Sequence, residues 1–150
     1  MESKFINTIN FKSYEISEIE CYETSNLDSF FDKYFKYYSL KKIGKTSNYD
    51  SWIYVAHMNN EIIGAIRGDI MWGVVHIELL MVKPEFRKEG IGKNLYNRAV
   101  EFATKMNCNM ITVETFDFQA PDYWQSLGFK IDFTREGYNG NTLYYLSKKI

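Results

Sequence analysis

Three cations and two glycines fall within seven residues: Arg87, Lys88, Gly90, Gly92 and Lys93. That combination suits a phosphate, because glycine lets backbone N–H groups approach an anion closely and the cations add charge. Before it stands Val74–Val82, apolar and β-branched enough for a buried strand, which Pro84 stops. After it, Ile91, Leu95, Ala99, Phe102, Ala103 and Met106 recur at helical spacing. A strand therefore feeds a helix through a short loop. The first N–H groups of a helix lack internal partners and sit at the positive end of its dipole, so this loop reads as a diphosphate cradle. On the strand, alternation puts His76, Glu78 and Leu80 on one face, and two of these can take a proton.

Spacing excludes other phosphate loops. A dinucleotide fingerprint needs a third glycine where Leu95 stands, and a Walker A reading of Gly44-Lys45-Thr46 needs one where Ser39 stands. What remains, Arg87-Lys-Glu-Gly90-Ile-Gly92, resembles motif A of the GCN5-related N-acetyltransferases (GNAT), Arg/Gln-x-x-Gly-x-Gly/Ala. A second block, Ile111 to Phe129, is similar to the family's block B through Ala120 and Leu127-Gly128-Phe129.

The resemblance implies an α/β fold with a mixed sheet, the GNAT acyl-CoA N-acyltransferase fold, as a single domain over residues 1–150. Its central strands, here Val74–Val82 and Met110–Thr115, would splay around the pantetheine arm of acetyl-CoA (coenzyme A). Leu80, Met81 and Val82 would meet that arm, with a backbone N–H near Met81 as oxyanion donor. Arg87, Lys88, Gly90, Ile91, Gly92, Lys93 and Asn94 would surround the pyrophosphate. Asp117 stands where many members carry asparagine against the cofactor arm. Glu78 is the first candidate base and His76 the second; the competing readings are an ion-paired Glu78 and a satisfied His76. The family's acid is often a tyrosine, and alignment puts Trp124 at its position with Tyr123 one residue earlier. Indole is no useful acid. Three routes stay open: Tyr123 reaches in, solvent donates, or turnover is slow.

The activity implied is acetyl transfer to a primary amine of a small molecule or protein, by direct attack in a ternary complex. The alternative is a catalytically weak sensor or interaction module that holds acyl-CoA. A homodimer is compatible with the resemblance. Asp28, Asp32, Glu114, Asp117 and Asp122 are candidates to receive a cationic acceptor, and surface charge is the favoured reading for them.

Around these residues the chain reads as strand (Ile16–Tyr22), helix (Ser25 or Asn26 to about Leu40), loop (Lys41–Asp50) and strand (Trp52–Met58). Asn59-Asn60 turns it into Ile62–Ile70, and Met71-Trp72-Gly73 into the organising strand. Beyond the second helix come a strand to Thr115, a short helix Ala120–Leu127, and strands at Phe129–Phe133 and Thr142–Ser147. Aromatics reach 17%, which suits an aromatic-lined groove or a bulky core, with core the favoured reading for most; Phe30, Phe31, Tyr34, Phe35 and Tyr38 give the first helix a wide apolar face. A net charge of −1 argues against a nucleic-acid or anionic-membrane partner, with Lys41, Lys42 and Lys45 the exception. Cys21 and Cys108 have no metal-ligand spacing and read as buried thiols. The first residues are too polar for a signal peptide, and no apolar run has membrane-span length, so a cytoplasmic protein is expected.

Overall fold

A computed structural model describes residues 5–10, 15–19, 25–46 and 50–150. They belong to two compact units, Met1–Ser47 and Asn48–Ile150. In the first, β1 (Phe5–Asn10) pairs antiparallel with β2 (Glu15–Ile19), followed by α1 (Ser25–Ile43). The sequence pattern gives the second of these strands and misses the first, whose Phe-Ile-Asn-Thr-Ile-Asn lacks strict alternation. Residues 20–24, with Cys21, lie outside the described residues. The helix runs three residues past Leu40. Lys41 and Lys42 suit the negative end of its dipole, and Gly44, at φ +67°, closes it by donating its N–H to Leu40 O at 3.0 Å. The wide apolar face expected on this helix is exposed: Phe30, Phe31, Tyr34, Phe35 and Tyr38 all lie at the surface. Some of these rings pack on one another instead, as Phe30 does on Phe31 and Tyr34.

The second unit runs β3 (Asp50–Met58), β4 (Glu61–Met71), β5 (Val74–Val82), α2 (Ile91–Lys105), β6 (Met110–Phe116), α3 (Pro121–Ser126), β7 (Lys130–Glu136) and β8 (Thr142–Lys149). Its six-stranded mixed sheet has the order β3-β4-β5-β6-β8-β7. Two-residue turns at Asn59-Asn60 and Trp72-Gly73 have positive φ at both positions, the twist that suits tight hairpins. The core lies on one sheet face. Ile66, Val75, Ile77, Ile111 and Leu146 are fully buried, and Leu95, Tyr96, Ala99 and Ala103 of α2 belong to the same cluster. Cys108 is buried there too, as expected, and burial pushes its thiol pKa up.

Two irregularities of β5 shape everything that follows. It pairs parallel with β6 only from Val74↔Met110 to Ile77↔Val113, after which the strands part, as the resemblance implies. Against β4, Gly68 pairs with Ile77 but Arg67 pairs with Leu79, so Glu78 is an extra residue, a β-bulge. The bulge resets the alternation. Val75 and Ile77 are buried, and beyond Glu78 it is Leu80 and Val82 that pack against the core, while Leu79 and Met81 are exposed. His76, Glu78 and Leu80 therefore do not share a face. Opposite the bulge, a Cβ on Gly68 would lie 1.9 Å from His76 O, so the close approach of the strands there requires glycine.

Candidate active site

Where β5 and β6 part, a cavity of about 660 Å³ opens. Glu78, Leu80, Met81 and Val82 line it from β5; Arg87, Lys88, Gly90, Ile91, Gly92 and Lys93 line it from the loop and the start of α2. Tyr123 and Trp124 close it from α3. The fold thus brings together most residues that the two motifs single out.

At the loop end, Gly90 caps α2 at φ +83° and has no side chain to occupy the helix start. Asn94 N donates to Gly90 O at 2.9 Å, which makes Asn94 the first helical donor. The N–H groups of Ile91, Gly92 and Lys93 have no intrahelical partner. A Cβ on Gly92 would stand 3.0 Å from Tyr123 Oη, so this wall of the cavity is bare backbone. Arg87 folds back over β5, its Nε donating to Val82 O at 3.1 Å. Bare donors, a helix dipole and Arg87, Lys88 and Lys93 form a set that fits a diphosphate.

Two expected contacts are not among the lining residues. Asn94 is exposed on α2, one residue beyond the open turn. Asp117 prolongs the β6–β8 pairing: its N–H donates to Thr142 O and its Oδ2 accepts from Thr142 N, each at 2.9 Å. Its carboxylate is therefore engaged at the strand end.

The position of α3 is set by polar contacts at both ends. Gln119 Oε1 accepts from Phe116 N at 2.8 Å, Ala120 N donates to Thr115 Oγ1 at 3.3 Å, and Lys148 Nζ donates to Leu127 O at 2.7 Å. Held this way, Trp124 is buried edge-on against Tyr96 and Phe129. Its ring fills the core, while its neighbour presents the hydroxyl. Tyr123 Oη is buried, has no hydrogen-bond partner among the described residues, and faces the Gly92 wall. Burial, then the nearby Tyr96, raises its pKa above the ordinary tyrosine value.

At the other end, Glu78 Oε2 lies 3.1 Å from Arg67 Nε, with both side chains about half exposed. His76 does not line the cavity; its Nδ1 lies 3.0 Å from Thr112 Oγ1. Carboxylates of Glu78 and Glu114 thus line the same cavity as the cations Arg87, Lys88 and Lys93. Sequence reasoning missed Arg67, Phe86, Phe118 and Gln119 around this site. For Arg67 a signal existed: counting back across the two-residue Trp72-Gly73 turn sets it opposite Glu78.

Residues 11–129 match the family model described as "Acetyltransferase (GNAT) family". The chain is 32% identical over 99 residues to the blasticidin-S acetyltransferase of Streptomyces morookaense, covering 65% of this chain and 73% of that one. Its fold is similar to an acetyltransferase from Bacillus cereus ATCC 14579, with TM-score 0.77, 20% identity, and 93% and 100% of the two chains covered. An acetyltransferase of Bacillus anthracis str. Ames, solved in complex with acetyl coenzyme A, matches at TM-score 0.62 and 27% identity over 73% of this chain and 66% of that one. Among the described residues, no helix is long and apolar enough to cross a membrane. With the family match extending over both motifs and the parted strands, the chain belongs to the GNAT family and is an acetyl-CoA-dependent N-acetyltransferase.

Proposed function

We propose that the protein acetylates a primary amine of a small molecule by direct attack, with Glu78 as base and Tyr123 as proton donor. The reading rests on one observation: a carboxylate on a bulge and a buried, unpartnered hydroxyl line the same cavity beside a diphosphate cradle. Acetyl-CoA supplies the activated acyl group. Gly90, Ile91, Gly92 and Lys93 hold its diphosphate through backbone N–H groups, with Arg87 and Lys88 adding charge. Among the described residues, the β6-facing edge of β5 beyond Ile77 has no ladder partner, so main-chain groups near Leu80 and Met81 are available to orient the pantetheine and acyl portions.

An alkyl ammonium with a pKa near ~10 is mostly protonated at neutral pH, and only its neutral form attacks. Glu78 takes that proton; its Oε2 faces Arg67, and its Oε1 has no partner among the described residues. Tyr123 Oη, buried in the same cavity without a hydrogen-bond partner among the described residues, holds the proton for the departing sulfur. That the acceptor is a small molecule is supported by the likeness to an enzyme that acts on blasticidin S. We also infer that residues 1–150 act as one N-acetyltransferase domain, since the family match spans both compact units.

Thiol release from acetyl-CoA across blasticidin S, polyamines, amino acids and peptides tests the acceptor class. Glu78→Gln should lower kcat by about a hundredfold while heat stabilisation by acetyl-CoA persists. An unchanged kcat would remove Glu78 from the base role.

A further inference from the structure

The bulge places Glu78 in the walls of two cavities. One is the cofactor cavity. The other, about 420 Å³, lies over β3 and β4 and is lined by Ser51, Ile53, Arg67, Asp69 and Glu78. Pairing of Ser51 with Asp69 and of Ile53 with Arg67 puts these side chains on the sheet face opposite the buried Trp52, Ile66 and Ile70. An amine that delivers its proton to Glu78 has this second cavity beside it.

We propose that the acceptor is an amine that also carries a carboxylate, and that Arg67 selects it; the proposal builds on the reading of Glu78 as base. Arg67 commits only Nε to Glu78, and its two terminal nitrogens have no partner among the described residues. A guanidinium edge with two parallel donors matches a carboxylate, where an ammonium would be repelled. The ammonium of the same molecule is drawn instead to Glu78, and Asp69 adds a second negative group on the same face. The wall therefore carries both signs: Arg67 has Asp69 two residues along its own strand and Glu78 on the neighbouring one. A plain amine satisfies the carboxylates and leaves Arg67 facing a cation, whereas a zwitterion satisfies both signs.

The test compares matched pairs: lysine with cadaverine, histidine with histamine, phenylalanine with 2-phenylethylamine. Steady-state kinetics would be measured for the full chain, Arg67→Gln and Arg67→Lys, with heat stabilisation by acetyl-CoA as the check on folding. In at least one pair the acid should exceed the amine in kcat/KM by about tenfold, the size expected for one charged hydrogen-bonded contact. Arg67→Gln should erase that ratio through KM for the acid, and Arg67→Lys should restore part of it. Equal or better use of the amine in every pair, or no turnover of either member of any pair, overturns the proposal. So does an Arg67→Gln variant that weakens both members alike, which is the mark of a merely structural ion pair. If Glu78→Gln leaves kcat intact while the acid preference persists, the base assignment fails and selection by Arg67 stands.

Discussion

The two edges of β5 are built from different materials. Toward β6, the site is mostly backbone: an unpaired strand edge, a helix start without a capping side chain, and a glycine wall. Toward β4, it is charged side chains on a bulge, Arg67 against Glu78, with Asp69 beside them. Backbone donors survive most substitutions, because their positions follow from the fold; a side-chain constellation changes with one codon. Enzymes sharing this architecture can therefore keep one cofactor and vary the acceptor. The harshest way to break that division is to put a side chain into the backbone half. Gly92→Glu would drive a Cβ to within 3.0 Å of Tyr123 Oη and set a carboxylate where an anion is to bind. Heat stabilisation by acetyl-CoA should vanish, and kcat/KM should fall by at least on the order of a hundredfold. Retained stabilisation would mean the diphosphate lies elsewhere.

Legibility in the sequence follows the same division. Backbone elements announce themselves through pattern: β5 spans Val74–Val82 and α2 starts at Ile91, as the apolar run, Pro84 and the helical stripe foretell. The bulge has no such periodic signature. Its trace was Gly68 in mid-strand, where a glycine marks close approach, and only the nearness of His76 O to that position shows why. That Trp124 is buried in the core while the Tyr123 hydroxyl meets the Gly92 wall was not legible for a similar reason. A helix of six residues has its rotation fixed by Thr115, Gln119 and Lys148 at its ends, contacts that no local pattern encodes. The aromatic face of α1 was legible as a face, but its exposure was not.

Tyr123 sharpens the comparison, being a side chain lodged in the backbone half. Tyr123→Phe keeps the ring and removes the buried, unpartnered hydroxyl, so folding should be preserved and kcat should drop by about tenfold. The pH response has a definite sign. Burial raises the hydroxyl above 10.0, so the donating form persists past that pH and the alkaline limb of kcat lies above it. Stability follows the same direction. What the neutral, raised-pKa group contributes is complete below 10.0 and is lost as pH climbs through the folded-state value, because the unfolded chain ionises first. Both alkaline effects should be absent from Tyr123→Phe. A wild-type limb that survives the substitution would assign the proton to another group.

The smallest effect is expected at Asp117, the residue that resemblance puts against the cofactor and geometry puts against Thr142. Its carboxylate accepts one backbone N–H at an exposed strand end, so little is at stake. Asp117→Asn keeps an acceptor oxygen and should be nearly silent. Asp117→Ala leaves Thr142 N to water and should cost about 1 kcal/mol at most in urea denaturation. In neither variant should KM for acetyl-CoA move, because the residue does not line the cavity. A higher KM in Asp117→Asn at unchanged stability would draw Asp117 back into the site. The cradle would then extend along the β6–α3 connection, and the cofactor half could no longer be described as mostly backbone.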